Sequence, residues 1–457
     1  IESYLARLNY GFDGKYLLTL SGRYDGASVF STNNKWGFFP SAALGWNVSK
    51  EEFLRDSNTI NNLKIRGSYG EVGNAAILPY QSLDKLQSGA NFAFNGETLT
   101  NGVIINPQAG NNTLKWETTE QLNIGLDLSL FHSRLSLVAD YYKKNTTDLL
   151  LEKSLLQASG FQTQLVNAGE VENKGFEIGI SAIPVINDNF KWNTNVTFSK
   201  NNNEIIALNE GEERIILENT VGPGFNEAFT LEAGSSIGDI KGVVYDGVWK
   251  SDEAILAAAY NTAPGAPKYI DQNNDGIINT DDNVTIGSAL PDFTFGWNNN
   301  FSYKNLSLNI LVIGVQGNEI YNVGRYFTES PDRDGTSTAL LNAWTPTNQD
   351  TNIPSSTAIL KTTNSSRWIE DGSYIRIKNI TLGYNFSNTF TESLNINSAR
   401  IYFTGTNLFT FTDYTGFDPE ANASTNATGR NTDSYAGVDL ATYPSQKKIT
   451  LGLDIKF

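Results

Sequence analysis

The chain has 457 residues, 39% hydrophobic and 12% aromatic, and 33 Lys and Arg against 49 Asp and Glu leave a net charge of −16. That charge argues against nucleic acid as a partner; with no cysteine and one histidine, His132, disulfide frameworks, thiolate metal sites and histidine clusters are excluded. No run reaches the roughly 18–20 apolar residues that a membrane helix needs, which excludes a helical membrane protein but not a barrel, whose strands are apolar at every second position.

In chain order a period of two recurs, and that period puts alternate side chains on opposite faces of a strand. Tyr4, Ala6, Leu8, Tyr10 and Phe12 make the first apolar row, with Arg7 and Asn9 between them. Asp13 and Gly14 supply a two-residue hairpin turn, and Tyr16, Leu18 and Leu20 return. Ala42, Leu44, Trp46 and Val48 form a third row, and Ile65 and Tyr69 mark a fourth. Leu122, Ile124, Leu126, Leu128 and Leu130 alternate with Asn123, Gly125, Asp127 and Ser129. Leu135, Leu137, Ala139 and Tyr141 follow the turn at His132 and Ser133; Phe176, Ile178 and Ile180, then Trp192, Val196 and Phe198 come next. Phe293, Phe295, Trp297, Phe301 and Tyr303 alternate with Thr294, Gly296, Asn298, Asn300 and Ser302. The runs 306–317, 380–386 and 400–409, and the closing Ile449, Leu451, Leu453, Ile455 and Phe457, bring the candidates to about thirteen. Nine residues at roughly 3.4 Å each, tilted about 40°, span on the order of 24 Å, the height of an outer-membrane barrel's apolar band.

The intervening Asn, Thr, Ser, Gly and charged residues suit a hydrated lumen and equally the solvent face of a soluble sandwich. Thirteen sandwich strands would demand several domain boundaries, and none is evident. Connections come in two lengths: tight turns at 13–14, 131–133 and 304–305, and long polar stretches at 70–115, 200–290, 318–370 and 410–445. Short turns alternating with long external loops are the outer-membrane pattern, and soluble domains rarely carry so many loops beyond about 15 residues. The 20 Tyr, 25 Phe and 8 Trp suit aromatic girdles at two interfaces. The chain opens at Ile1 and contains no Met. With neither a start residue nor a signal peptide, it reads as a fragment whose N-terminal part is missing.

Longer stretches are more specific. KWGFFPSAALGWNVSKEEFL (35–54), LKIRGSYGEVGN (63–74), LKWETTEQLNIGLDLSLF (114–131) and VNAGEVENKGFEIGI (166–180) are four of them. PDFTFGWNNNFSYKNLSLNILVIGVQGNEIYN (291–322), WTPTNQDTNIPS (344–355), RWIEDGSYIRIKNITLGYNF (367–386), RIYFTGTNLFTFTDYTGFDPEA (400–421) and the terminal strand complete the set. Together, and in this order, they resemble the SusC/RagA family of TonB-dependent outer-membrane transporters. The resemblance implies an all-β fold: a transmembrane antiparallel β-barrel of 22 strands filled by an N-terminal plug. Residues 1–457 would supply about thirteen strands of it, with the plug, the TonB-contacting segment and the first strands outside this chain. It further implies the outer membrane of a Gram-negative cell, surrounding lipid, and active uptake energised through TonB. A SusD-like surface lipoprotein would deliver the ligand, an oligosaccharide by preference or an oligopeptide. An aromatic-rich cluster on the lumen-facing loops would favour glycan, and a mainly polar cavity would favour peptide. In proteins of this kind a terminal strand ending in an aromatic residue is read by the barrel-assembly machinery, a role that falls to Phe457. A passive receptor or adhesin barrel is the alternative.

Within the 200–290 loop region, DQNNDGIINTDD (271–282) has the spacing of a calcium loop: Asp271, Asn273 and Asp275 at positions 1, 3 and 5, Gly276 at 6, the Ile277 carbonyl at 7, Asn279 at 9 and Asp282 at 12. Such spacing wraps hard oxygen ligands around one point while glycine permits the sharp turn; the alternative is an Asx-rich turn that binds nothing. No cofactor is required, and Ca2+ is the one candidate ion. Trp116, Trp249, Tyr321, Tyr326, Trp344 and Trp368 could stack on sugar rings, or serve in girdles and loop packing. Asp332, Arg333 and Asp334 could touch ligand or form a solvated face. No GxSxG elbow occurs, His132 lies in a tight turn, and nothing places two carboxylates together. An enzyme is not expected.

Overall fold

The computed structural model describes residues 1–94, 97–208, 211–212, 214–216, 228–330, 337–358, 364–420 and 437–457. Its main element is a 13-stranded antiparallel sheet in chain order. The strands are β1 (Glu2–Phe12), β2 (Tyr16–Gly26), β3 (Trp36–Asn47), β4 (Ile60–Asn74), β5 (Glu117–Leu130), β6 (Leu135–Thr147) and β7 (Glu170–Ile186). They continue as β8 (Phe190–Ala207), β9 (Phe293–Tyr303), β10 (Leu306–Gln316), β11 (Tyr374–Asn385), β12 (Ser398–Thr412) and β13 (Lys448–Lys456). Each contains one of the alternating rows read from the sequence. The tight turns form where expected, with left-handed φ at Asp13 (53°) and Gly14 (61°) and at Lys304 (48°). Phe131, His132 and Ser133 all take left-handed φ, 54–61°, and His132 therefore belongs to a turn. Among the described residues no helix is long and apolar enough to cross a membrane.

Two compact units divide the chain: residues 1–178 with 202–213, and residues 179–201 with 214–457. In the first, the apolar row faces outward. Leu122 and Ile124 on β5 are exposed, as are Tyr69, opposite Leu122, and Ile65 on β4, and Leu44 on β3 is 64% exposed. The buried apolar cluster lies at one end, where Ala27, Phe30, Phe39, Leu114, Trp116 and Leu165 pack among the connections. The exposed row is bounded by two aromatic groups. Near the loop ends the Trp36 ring stacks on Tyr24 at 4.8 Å and on Tyr4 at 6.1 Å; at the other end Trp46 stacks on Tyr16 at 6.5 Å. Trp36 and Trp46 are ten residues apart on one strand, which at about 3.4 Å per residue and about 40° tilt separates the girdles by about 26 Å. Beyond the lower girdle Glu51 accepts from Tyr16 Oη (2.8 Å), Trp46 Nε1 (3.0 Å) and Lys15 Nζ (3.1 Å).

The opposite face of these strands is hydrophilic and laced across neighbours. Hydroxyls pair directly at Ser21 and Ser41 (2.6 Å), Thr119 and Thr146 (2.9 Å), and Ser129 and Ser136 (3.1 Å). Arg66 on β4 reaches two strands, with both oxygens of Asp140 at 2.7 Å and Asp127 at 3.1 Å.

The second unit repeats the division. On β9–β13 the exposed apolar residues include Trp297, Ile375, Leu382, Phe403, Phe409, Leu451 and Leu453, the last two 72% and 60% exposed. On the other face Asn309 Nδ2 donates to Asn298 (2.7 Å) and Asn300 (2.8 Å), and Thr381 bonds Thr404 (2.9 Å). Two polar residues interrupt the apolar row, Thr194 and Asn299, and they face each other across β8 and β9. Each takes an indole N–H: Trp297 to Thr194 Oγ1 (2.9 Å) and Trp192 to Asn299 Oδ1 (3.0 Å). Gly314 sits opposite Phe295, whose ring covers it so closely that any Cβ would collide.

The long polar connections are not structureless. Leu86–Phe94 pairs with Glu97–Ile105, and Leu150–Ser154 with Thr163–Asn167. In the second unit Asp239–Gly242 pairs with Val284–Ser288, and Glu319–Asn322 with Ile369–Asp371. Around these, Ala228, Phe229, Ile240, Tyr321, Val323, Tyr326, Trp368 and Val438 form a buried core. Turn-rich composition concealed this, because short strands held by tertiary packing leave no run of alternation to read.

Which face meets lipid is testable. Ile124→Arg on the outward row of β5 is expected to destabilise the full-length protein in lipid vesicles by about 2–4 kcal/mol near the midplane. Asn123→Arg, one residue away on the hydrophilic face, is expected to change urea unfolding little. Equal costs would contradict the assignment.

Candidate functional site

The hydrophilic face of the first unit is the candidate ligand wall. Towards the loop ends of its strands it carries a cavity of about 850 Å³, lined among others by Arg7, Ser21, Arg23, Asp25, Ser41 and Gln121. Arg23 Nε is 2.7 Å from Asp25, and its other end donates to Ser3 Oγ at 3.3 Å. Such a wall offers hydroxyl, amide and guanidinium groups to a polar ligand.

The folded connections of the second unit are tied together by charge. Arg367, buried between rings, lies 4.9 Å from the Trp368 centroid and 5.2 Å from Tyr245. It donates to Glu329 (3.0 Å) and to the Asn352 carbonyl (2.7 Å). Glu329 also takes Arg325 at 2.9 Å, and Arg325 reaches Glu370 at 2.9 Å. Burial first of all pushes the Tyr245 hydroxyl up to about 12. A second clamp holds β11 to the segment after β12. Arg376, 2% exposed, pairs with Asp418 at 2.5 Å and Glu420 at 2.6 Å, and Lys378 and Tyr374 also reach Glu420. Burial alone would push the Asp418 carboxyl up; the Arg376 guanidinium and the N–H groups of Glu420 and Ser445 outweigh it and hold the group at about 2. Sequence reasoning missed these residues. Arg376, Lys378, Asp418 and Glu420 lie inside the quoted stretches 367–386 and 400–421, but nothing in one sequence pairs position 376 with position 418.

All six aromatic candidates are buried. Trp116, in the first unit, packs on Phe30 (5.5 Å) and Phe39 (5.4 Å) and donates to the Lys35 carbonyl (3.0 Å). Tyr321, Tyr326 and Trp368 are brought together in the loop core, with Tyr326 edge-on to Trp368 at 5.6 Å. Trp344 lies against Gly265, whose φ is +89°. Trp249 stacks on Tyr260 at 5.9 Å, and only this one of the five in the second unit lines a described cavity. Their dominant role is loop packing. Asp332, Arg333 and Asp334 lie outside the described residues. Phe457 is exposed, one residue past β13.

The 271–282 loop has half of its expected form. Asn274 (φ 60°) and Gly276 (φ 83°) make the sharp turn. Asp271 accepts from the N–H of Asn274 (2.7 Å) and Gly276 (2.9 Å), and Tyr260 Oη donates to it at 3.1 Å. Asn273 accepts from Asp275 N–H and Asp275 from Ile277 N–H. Asp282 differs from its expected use: fully buried, it accepts from Gln272 N–H (2.8 Å) and Asn279 N–H (2.9 Å) and acts as an internal strut. Asn279 likewise caps Asp281 N–H at 2.6 Å. Among the described residues no three acidic or histidine side chains converge as a metal site.

Residues 2–313 match the family model described as TonB dependent receptor-like, beta-barrel. The chain is 40% identical to TonB-dependent receptor P3 of Formosa agariphila, over all of this chain and 45% of that protein. It is 29% identical to TonB-dependent receptor SusC of Bacteroides thetaiotaomicron, over all of this chain and 44% of that one. Among solved structures it is similar to the RagAB peptide transporter, with 27% identity and a TM-score of 0.84 over all of this chain and 47% of the other. The chain thus spans somewhat less than half the length of these relatives.

The Asp418 clamp has a pH signature. A carboxyl held below its unfolded value of about 3.9 contributes stability that is complete above that pH and is lost as pH falls through the folded value. Asp418→Asn is therefore expected to lower stability at pH 7, with the gap to wild type closing between about pH 4 and about pH 2. Acid unfolding of both proteins, followed by near-UV circular dichroism, checks this.

Proposed function

The chain belongs to the TonB-dependent receptor-like β-barrel family and is of the SusC/RagA type, and from that premise we propose that it forms part of the barrel of an outer-membrane nutrient importer. The observation that carries the reading is the pairing of faces in one sheet. An exposed apolar row lies between aromatic girdles, and behind it runs a wall of Arg, Asp, Ser, Thr and Asn cross-linked by hydrogen bonds. The first suits hydrocarbon and the second a hydrated passage. Import proceeds by binding, occlusion and release, with force supplied through TonB and the ligand presented by a SusD-like lipoprotein at the loops. No bond is made or broken in the ligand.

The ligand class is oligosaccharide, whose hydroxyls match such a wall. A second reading, oligopeptide, draws on two observations: the similar solved structure is that of a peptide transporter, and the stacking aromatics expected for sugar are buried. In cells carrying the full-length protein, uptake of labelled oligosaccharide is expected to vanish when TonB is deleted while surface binding persists. Uptake unaffected by that deletion would instead indicate a passive barrel, and competition by oligopeptides but not by glycans would select the second reading.

The 271–282 loop is proposed to take Ca2+ weakly, through Asp271, Asn273, Asp275 and the Ile277 carbonyl. With Asp282 committed elsewhere, ligand charge is low, which points to the weak extracellular end of the calcium range, about 10⁻⁴–10⁻³ M. Millimolar Ca2+, but not Mg2+, is expected to protect the loop from proteolysis, and Asp275→Asn to abolish the protection. Nicking that is indifferent to Ca2+ would identify a plain Asx turn.

A further inference from the structure

A second cavity, of about 380 Å³, lies among the folded connections of the second unit, apart from the hydrophilic sheet face. Its lining includes Trp249, Tyr260, Tyr269, Asn261, Thr262 and Ile277. Tyr260 is fixed in two ways: its ring stacks on Trp249 at 5.9 Å, and its hydroxyl donates to Asp271 at 3.1 Å. Trp249 in turn is fixed by Lys268, whose Nζ lies 5.0 Å from the indole and is itself held by Glu253 at 2.8 Å. The aromatic wall is therefore pre-organised, not loose side chain. Asn261 and Thr262 follow Tyr260 directly, and their backbone N–H groups are spent on Ala258 and Ala257. Among the described residues the side-chain amide of Asn261 and the hydroxyl of Thr262 have no hydrogen-bond partner. Asn261 holds φ +54° to stand there, a conformation that Asn tolerates better than most residues.

We propose that this cavity is a saccharide site, taking one pyranose ring. A pyranose has an apolar C–H face and an equatorial edge of hydroxyls that both donate and accept. A fixed tyrosine ring beside a free amide and a free hydroxyl meets both needs. An apolar peptide side chain would use the ring and leave the polar groups unmatched. The volume lies in the range of small-ligand pockets. The far wall is Gly276 with Ile277 and Ile278, so the ligand and the 271–282 turn share a boundary through Tyr260 and Asp271. The inference rests on the import reading only in taking the sugar to be part of the nutrient, held at a point distinct from the sheet face.

The test is saturation-transfer NMR on the full-length protein in detergent. The probes are methyl glucoside, methyl galactoside and methyl mannoside, against acetyl-leucinamide and acetyl-phenylalaninamide. A ligand of so few atoms is expected to bind with Kd on the order of millimolar. At least one glycoside should bind, and bind tighter than either amide. The pair Asn261→Gly, which keeps the left-handed turn, with Thr262→Val, which keeps the side-chain shape, should weaken that glycoside at least about tenfold. Tyr260→Phe should retain binding and Tyr260→Ala should lose it; if Tyr260→Ala fails to fold, the paired variant decides. Three results overturn the proposal: no glycoside bound at about 50 mM, tighter binding of an amide, or wild-type glycoside affinity in the paired variant. Solubilised protein needs no TonB. Binding without energised uptake would therefore refute import and leave the site standing, and uptake without binding would do the reverse.

Discussion

The structure depends on one constraint: within a hydrocarbon layer no water is available, so every polar group at that depth must find its partner inside the protein. A sheet meets the demand for its backbone by strand pairing, which turns a polar chain into a surface that can be apolar on one side. The side chains then have to obey the same rule one by one. Thr194 and Asn299 show what happens where they stray into the outward row. Each is matched to an indole N–H, and the two tryptophans also supply aromatic surface to lipid. On the hydrated side the rule relaxes, yet the side chains still pair, Arg66 with two aspartates and Asn309 with two asparagines. Such cross-links stiffen that face.

The connections follow the opposite logic. Around Tyr321, Tyr326 and Trp368 the apolar residues turn inward and the charged ones form networks at their edges, as in a soluble domain. One chain therefore carries two rules of burial. The ionic clamps at Arg367 and Arg376 belong to the second rule. An unpaired guanidinium at either place would be costly, and each is surrounded by carboxylates and ring faces that leave it little freedom. Loops held in this way can present a fixed surface, which long polar connections without a core could not.

Period two made all thirteen strands legible, because exposure to lipid demands alternation over nine or more residues, and turn chemistry located Asp13, Gly14 and Lys304. The loop core was not legible. Its strands are only two to five residues long, and the aromatics that looked available for stacking were assigned by type, whereas their burial is decided by partners that, for most of them, lie many tens of positions away in the chain. Asp282 adds a related point: spacing places a carboxylate at the twelfth position but does not say that the N–H groups of Gln272 and Asn279 reach it. Asn261 and Thr262 carry no motif at all; only their lack of partners singles them out, and that is a property of the folded chain.

The alternating pattern leaves one ambiguity that Glu51 removes. Sliding one strand past another by a single residue would reverse its faces and be rejected at once; sliding it by two restores the pattern and offends nothing greasy or wet. Glu51 gathers the start of β2, through Lys15 and Tyr16, and the far end of β3, through Trp46, on one carboxylate. A two-step slip would carry Tyr16 and Trp46 out of shared reach, so a single anchor at the rim distinguishes between alignments that the rest of the hairpin treats as equals.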